Sequence, residues 1–153
     1  MIEVPASARP LFVAAGWRPG RRTAAAPDVR HDHPAAAVLA ELGGLLVGHL
    51  TFQPLPPDDL IFDVWEKLLS TQLVGVAETR HGYAGLYMDS SGRCFGHTIV
   101  DDGFYFEGAS FGEAIEGLLL GRRSRPMLRP EQSTVWCYGE EIRADDPRVY
   151  RYR

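Results

Sequence analysis

The chain has 153 residues, 45 % of them hydrophobic and 24 % charged, with 20 acids against 16 bases and a formal charge of −4. A chain of this length buries about 70 % of the surface it would expose unfolded, which gives one domain a proper core and excludes disorder over most of its length. The acidic balance argues against a general nucleic-acid binder, and the use of Arg for every base but Lys67 reads as coding bias rather than chemistry.

The N-terminus, Met1-Ile2-Glu3-Val4-Pro5, has no basic region followed by an apolar run, so no signal peptide is expected. No stretch approaches the roughly 18 apolar residues of a membrane span, and the expected location is the cytoplasm. A first helix is predicted over 7–15, with Ser7 as its N-cap and Pro10 in its first turn. Gly16 then takes the left-handed position that ends helices, and Trp17 folds back on Phe12. The Pro-, Arg- and Ala-rich segment 19–33 reads as a loop. A second helix starts at Pro34, carries Ala35, Val38, Leu39 and Leu42 at helical spacing, and stops at Gly43-Gly44.

Residues 45–47 read as a buried strand and 53–59 as a Pro-rich loop; 61–69 has mixed periodicity, strand then helix being one reading. The clearest architecture lies between Leu73 and Gly108. Strands are predicted over 73–77 and 84–88, joined through His81-Gly82, and a third over 93–95 follows Asp89-Ser90-Ser91-Gly92. Thr98-Ile99-Val100 and Phe104-Tyr105-Phe106 flank Asp101-Asp102-Gly103, and Asp-Gly between apolar runs is a strong hairpin signal. The expectation is an antiparallel meander. Ser110 and Glu113 form a capping box for a further helix, whose Phe111, Ala114, Ile115, Leu118 and Leu119 make one apolar face before Gly121 ends it. That helix is expected to bury one side of the sheet. The tail holds a basic loop from Arg122 and a strand at 134–138. Helices before and after an antiparallel sheet define an α+β fold.

These residues resemble the SUKH superfamily, in particular its third subfamily. Ala15 through Arg22 is similar to that subfamily's opening motif, Val38 through Leu45 to its helix ending in a double glycine, Leu86 through Arg93 to its central hairpin, and Ser110 through Gly121 to its last helix. The resemblance covers residues 11–123 in order and treats 124–153 as a C-terminal extension of a single domain. Two departures stand out: the segment between Arg22 and Pro34 is short and Ala/Pro-rich, and the tail has no counterpart. The resemblance implies an α+β sheet-and-helix fold and a bacterial immunity protein whose partner is a cognate protein toxin, often a nuclease or nucleic-acid deaminase. It brings no catalytic residues.

His31-Asp32-His33, and Cys94 with His97, have the look of metal-ligand pairs, but Cys137 is too isolated to complete a structural zinc site. The bland alternative places His31 and His33 in a polar loop at a helix start. No nucleophile elbow, phosphate loop or dinucleotide fingerprint is present, so neither enzyme nor cofactor is expected; a small metal-dependent hydrolase and a regulatory interaction module are the rival readings. Arg122, Arg123, Arg125 and Arg129 could touch phosphate, or simply complement a helix C-terminus. Of four adjacent acid pairs (Asp58-Asp59, Asp101-Asp102, Glu140-Glu141, Asp145-Asp146), turn chemistry accounts for most. The preferred partner-binding patch is Asp101, Asp102 and Glu107 around Phe104 and Tyr105, with Tyr105 expected on the exposed face of its strand.

Overall fold

A computed structural model describes residues 2–23, 29–56, 61–79, 82–99 and 103–152. The first helix, α1 (Arg9–Ala14), begins later than its sequence suggests. Its N-cap is Ala8, without a side-chain hydrogen bond, because the Ser7 hydroxyl instead donates to Glu116 Oε2 at 2.7 Å. Gly16 takes φ +105°, the Trp17 N–H donates to Phe12 O at 2.9 Å, and the two rings meet edge-on at 6.1 Å, as the sequence predicts. In α2 (Pro34–Leu42) the helix opens on His33. Its end needs glycine twice: a Cβ on Gly43 would stand 2.6 Å from Leu39 O, and Gly44 has φ +87°.

Two short strands follow, β1 (Leu46–Val47) and β2 (Leu50–Phe52), where only one is predicted. The first is not wholly buried: Val47 points into the core and Leu46 outward, as alternation along a strand requires. The undecided segment 61–69 is helical, a π-type turn over Ile61–Trp65 running into α3 (Glu66–Leu69). Ile61, Trp65 and Leu69, spaced by four, supply its buried face.

The meander is β3 (Val74–Thr79), β4 (Ala84–Met88), β5 (Cys94–Thr98) and β6 (Phe104–Gly108). The separate stretches 93–95 and 98–100 are thus joined: one continuous strand spans 94–98. Asp89, fully buried, builds the β4–β5 turn by accepting from the N–H groups of Ser91 and Arg93 and from the Arg93 guanidinium at 2.7 Å. Helix α4 (Phe111–Leu120) has the expected Ser110 cap, whose Oγ accepts from Glu113 N at 3.2 Å. The return contact is displaced by one residue, Glu113 accepting from Ala109 N. After Gly121 the chain forms β7 (Arg125–Met127), inside the segment expected to be a basic loop, and then the hairpin β8 (Thr134–Cys137) and β9 (Glu140–Arg143).

Strands β1 to β7 make one antiparallel sheet in chain order, and β8–β9 a separate pair. The fold is α+β, with helices on either side of the sheet in sequence and α4 packed on one face. On that face Phe12, Val38, Leu42, Phe111 and Ile115 pack against Val76, Leu86, Met88 and Cys94. The opposite face is covered by Trp65, stacked on Phe104 at 4.4 Å, and by the tail, where Tyr150 stacks on Phe106 at 3.9 Å. Leu128, Cys137, Ile142 and Val149 form a third, smaller core beneath the β8–β9 hairpin, against Tyr105. No helix among the described residues is long and apolar enough to cross a membrane.

Candidate functional site

The β5–β6 register decides what the predicted patch becomes. Gly96 faces Tyr105 and His97 faces Phe104, so these two pairs lie on opposite faces of the sheet. Phe104 falls on the face covered by α3. It is 1 % exposed, between Trp65 and Phe95, and belongs to the core rather than to a surface. Tyr105 is not the exposed aromatic expected of it. It points to the α4 face and is half-buried there, because β8, close to the strand expected at 134–138, pairs with an unforeseen β9 in a hairpin that packs over it. Asp101 and Asp102 lie outside the described residues.

Glu107 shares the face of Tyr105. Together they form part of the floor of a cleft of about 230 Å³, bounded by Leu118 of α4 on one side and by Tyr138 of the hairpin turn on the other. Gly96 in the floor makes room for the Glu107 side chain: a Cβ there would stand 2.8 Å from Glu107 Oε1. Glu107 Oε2 accepts from the Ser124 hydroxyl at 2.8 Å. Burial raises the Glu107 carboxyl above the ordinary glutamate range, and the Ser124 hydrogen bond and Arg122 charge only partly offset it. Ser124, in turn, donates its backbone N–H to the Tyr138 hydroxyl at 2.9 Å, tying the floor to the wall.

At the end of the sheet where this cleft opens, two large side chains face solvent. Tyr83 and Ile99 are 59 % and 56 % exposed, and the Ile99 N–H donates to Tyr83 O at 3.0 Å. They flank the cleft-lining residues Ala84 and Thr98 in sequence. Neither Tyr83 nor the cleft is singled out by the sequence, since an isolated Tyr after a turn carries no periodic signal.

The metal-ligand pairs do not assemble. His31 is exposed. His33 is buried with both ring nitrogens engaged: Nδ1 accepts from Ala35 N at 3.1 Å, capping α2, and Nε2 donates to Gln72 O at 3.0 Å. Cys94 and His97, three apart on one strand, point to opposite faces. Burial also pushes the Cys94 thiol far above its ordinary range, so it carries no thiolate at neutral pH. Among the described residues no three His, Cys, Asp or Glu side chains gather to hold an ion.

The basic run is spread out. The Arg122 guanidinium donates to Glu113 O and lies on Gly117, Arg123 sits over the Tyr138 ring at 4.8 Å, and Arg125 donates to the carbonyls of Arg148 and Val149. These arginines are fastened to the fold one by one rather than presented as a patch. Compared with known proteins, the chain finds no match to a family model, a curated protein or a solved structure.

Proposed function

We propose that the chain is an immunity protein, a stoichiometric inhibitor that binds a bacterial protein toxin and catalyses nothing itself. The observation that carries the reading is the exposed Tyr83–Ile99 pair at the tips of neighbouring hairpins, with Asp101 and Asp102 next along the chain. Apolar and aromatic anchors with charge around them are the anatomy of an interface core. The resemblance over residues 11–123 supports the same reading, as does the net charge of −4, which suits the basic cleft of an enzyme that acts on nucleic acid. Binding would cover about 800 Å² on each partner, more than the two side chains alone supply, so the tips act as its centre.

The test is co-expression with a toxin encoded beside the gene. Survival of the cells and recovery of a one-to-one complex are expected. Replacing Tyr83 and Ile99 by Ser together with Asp101 and Asp102 by Ala is expected to abolish protection while leaving the thermal transition in place. Cell death with the unaltered chain overturns the immunity reading; undiminished protection by the fourfold variant overturns the hairpin tips as its surface. Tyr105 is left intact in this variant because its ring packs beneath the β8–β9 hairpin.

A further inference from the structure

The cleft between α4 and the β8–β9 hairpin holds features that a protein-docking surface does not require. Its floor is sheet, and its walls are Leu118 on one side and Tyr138 on the other. Into this mostly apolar space projects the half-buried carboxyl of Glu107. One oxygen is bonded by the Ser124 hydroxyl at 2.8 Å, while Oε1 lies over Gly96, where no N–H or O–H of the described residues donates to it. A carboxylate held this way leaves its second oxygen to an occupant, and a cation is what satisfies it.

The wall gives an independent indication. The β8–β9 turn is Tyr138-Gly139, with φ +51° and +79°. Two consecutive left-handed residues belong to the tight hairpin turn that favours Asn-Gly or Gly-Gly. An aromatic residue at the first of these positions is strained, and strain of this kind collects where a side chain is needed for another purpose. Here the Tyr138 ring walls the cleft, its hydroxyl accepts from Ser124 N, and Arg123 covers its outer face.

We propose that this cleft binds a small free molecule with a cationic head on an apolar stem, a primary alkylamine or alkylguanidine, the head meeting Glu107 Oε1 and the stem lying against Leu86, Leu118 and the Tyr138 ring. The sheet floor, Leu118 and Tyr138 bound an occupant below and on two sides. That suits a detached molecule better than a side chain arriving on another chain's backbone. A volume of about 230 Å³ accommodates a short stem and not a lipid.

The test is titration of the full chain with n-hexylammonium, n-hexanol and hexanoate, followed by amide shifts at Gly96, Thr98 and Ser124. The ammonium is expected to bind and to shift these three residues together. Glu107→Gln is expected to weaken it roughly tenfold or more, the loss that follows when a charged hydrogen-bond partner is made neutral. Tyr138→Gly relieves the turn and opens the wall; it is expected to weaken binding while the melting temperature holds or rises, which a merely structural Tyr138 would not produce. Equal binding of hexanol and hexylammonium overturns the assignment of Glu107, and this comparison decides the matter on the unaltered chain should Glu107→Gln fail to fold. Binding confined to short Lys- or Arg-containing peptides overturns the free-molecule reading. Neither result bears on toxin protection, which the co-expression experiment reads separately.

Discussion

Two carboxyls, one buried and one half-buried, show how neighbourhood decides what one functional group does. Asp89 is fully buried, yet N–H donors of Ser91 and Arg93 and the Arg93 guanidinium surround it, so it acts as the keystone of a turn. Glu107 has one hydroxyl donor and apolar walls, and burial raises its carboxyl. The consequence for stability has a definite sign. A carboxyl raised in the folded state binds its proton more tightly folded than unfolded. The contribution is therefore neutral below the ordinary glutamate range and becomes unfavourable as pH climbs through that range to the raised value. Among the described residues, Arg122 and Cys94 are titratable groups coupled to this charge. Glu107→Gln is expected to gain stability relative to the parent between acidic and neutral pH, read from urea midpoints at the two conditions. A gap that stays constant or shrinks with rising pH contradicts a raised carboxyl. The sequence singles out Glu107 and Tyr105 as candidate partner-binding residues, an acid beside an aromatic anchor, and period-two alternation puts them on one face. It does not show that the face is roofed, since the hairpin over it is far away in the chain and its turn lacks the usual residues.

At the scale of elements, legibility follows the strength of local signals. α2 and α4 carry Pro, Ser or double-glycine punctuation and a repeating apolar stripe, and both form close to their expected bounds. β1, β2 and β7 span two or three residues each, too short for a period to be counted, and only pairing with neighbours makes them strands. The α1 start misleads for a different reason: Ser7 has a choice of partner, and tertiary contact with Glu116 wins over the local cap. The segment at 61–69 is ambiguous because the partly buried Val64 and Leu68 stand next to the buried Trp65 and Leu69, so its apolar residues do not keep to one spacing. Its central residue is the strongest anchor of the second core. Trp65 stacks on Phe104 and meets Tyr152 edge-on at 5.6 Å, while remaining 2 % exposed. Trp65→Ala is expected to cost about 3–5 kcal/mol by chemical denaturation, since the cavity opens between helix, sheet and tail and none of them can close it alone. A loss under ~1 kcal/mol would mean that the helix and tail collapse into the space.

For the whole molecule, the sheet is a partition with separate work on its two sides. One face carries the principal core and the cleft; the other is closed by α3 and the C-terminal residues, with Tyr150 on Phe106 and the Tyr152 hydroxyl donating to Leu128 O at 2.7 Å. The tail is thus a part of the fold, and its removal has a measurable effect. Deleting residues 150–153 removes the half-buried rings of Tyr150 and Tyr152, uncovers Phe106 and Trp65, and is expected to lower stability by about 2–3 kcal/mol while the far-ultraviolet circular dichroism keeps its β-sheet shape. An unchanged melting curve would show the strap to be dispensable. The order of the strands carries one more consequence. Since β1 to β7 are neighbours in space as they are in the chain, each hairpin can form as soon as its own two strands have left the ribosome, without waiting for a distant partner. Tyr150 and Tyr152, which meet Phe106 and Leu128, come later in the chain than every strand. A nascent chain that has emerged only as far as β9 carries the whole seven-stranded sheet with Phe106 still bare beside the part that α3 closes, and that is the stage at which a chaperone would matter most.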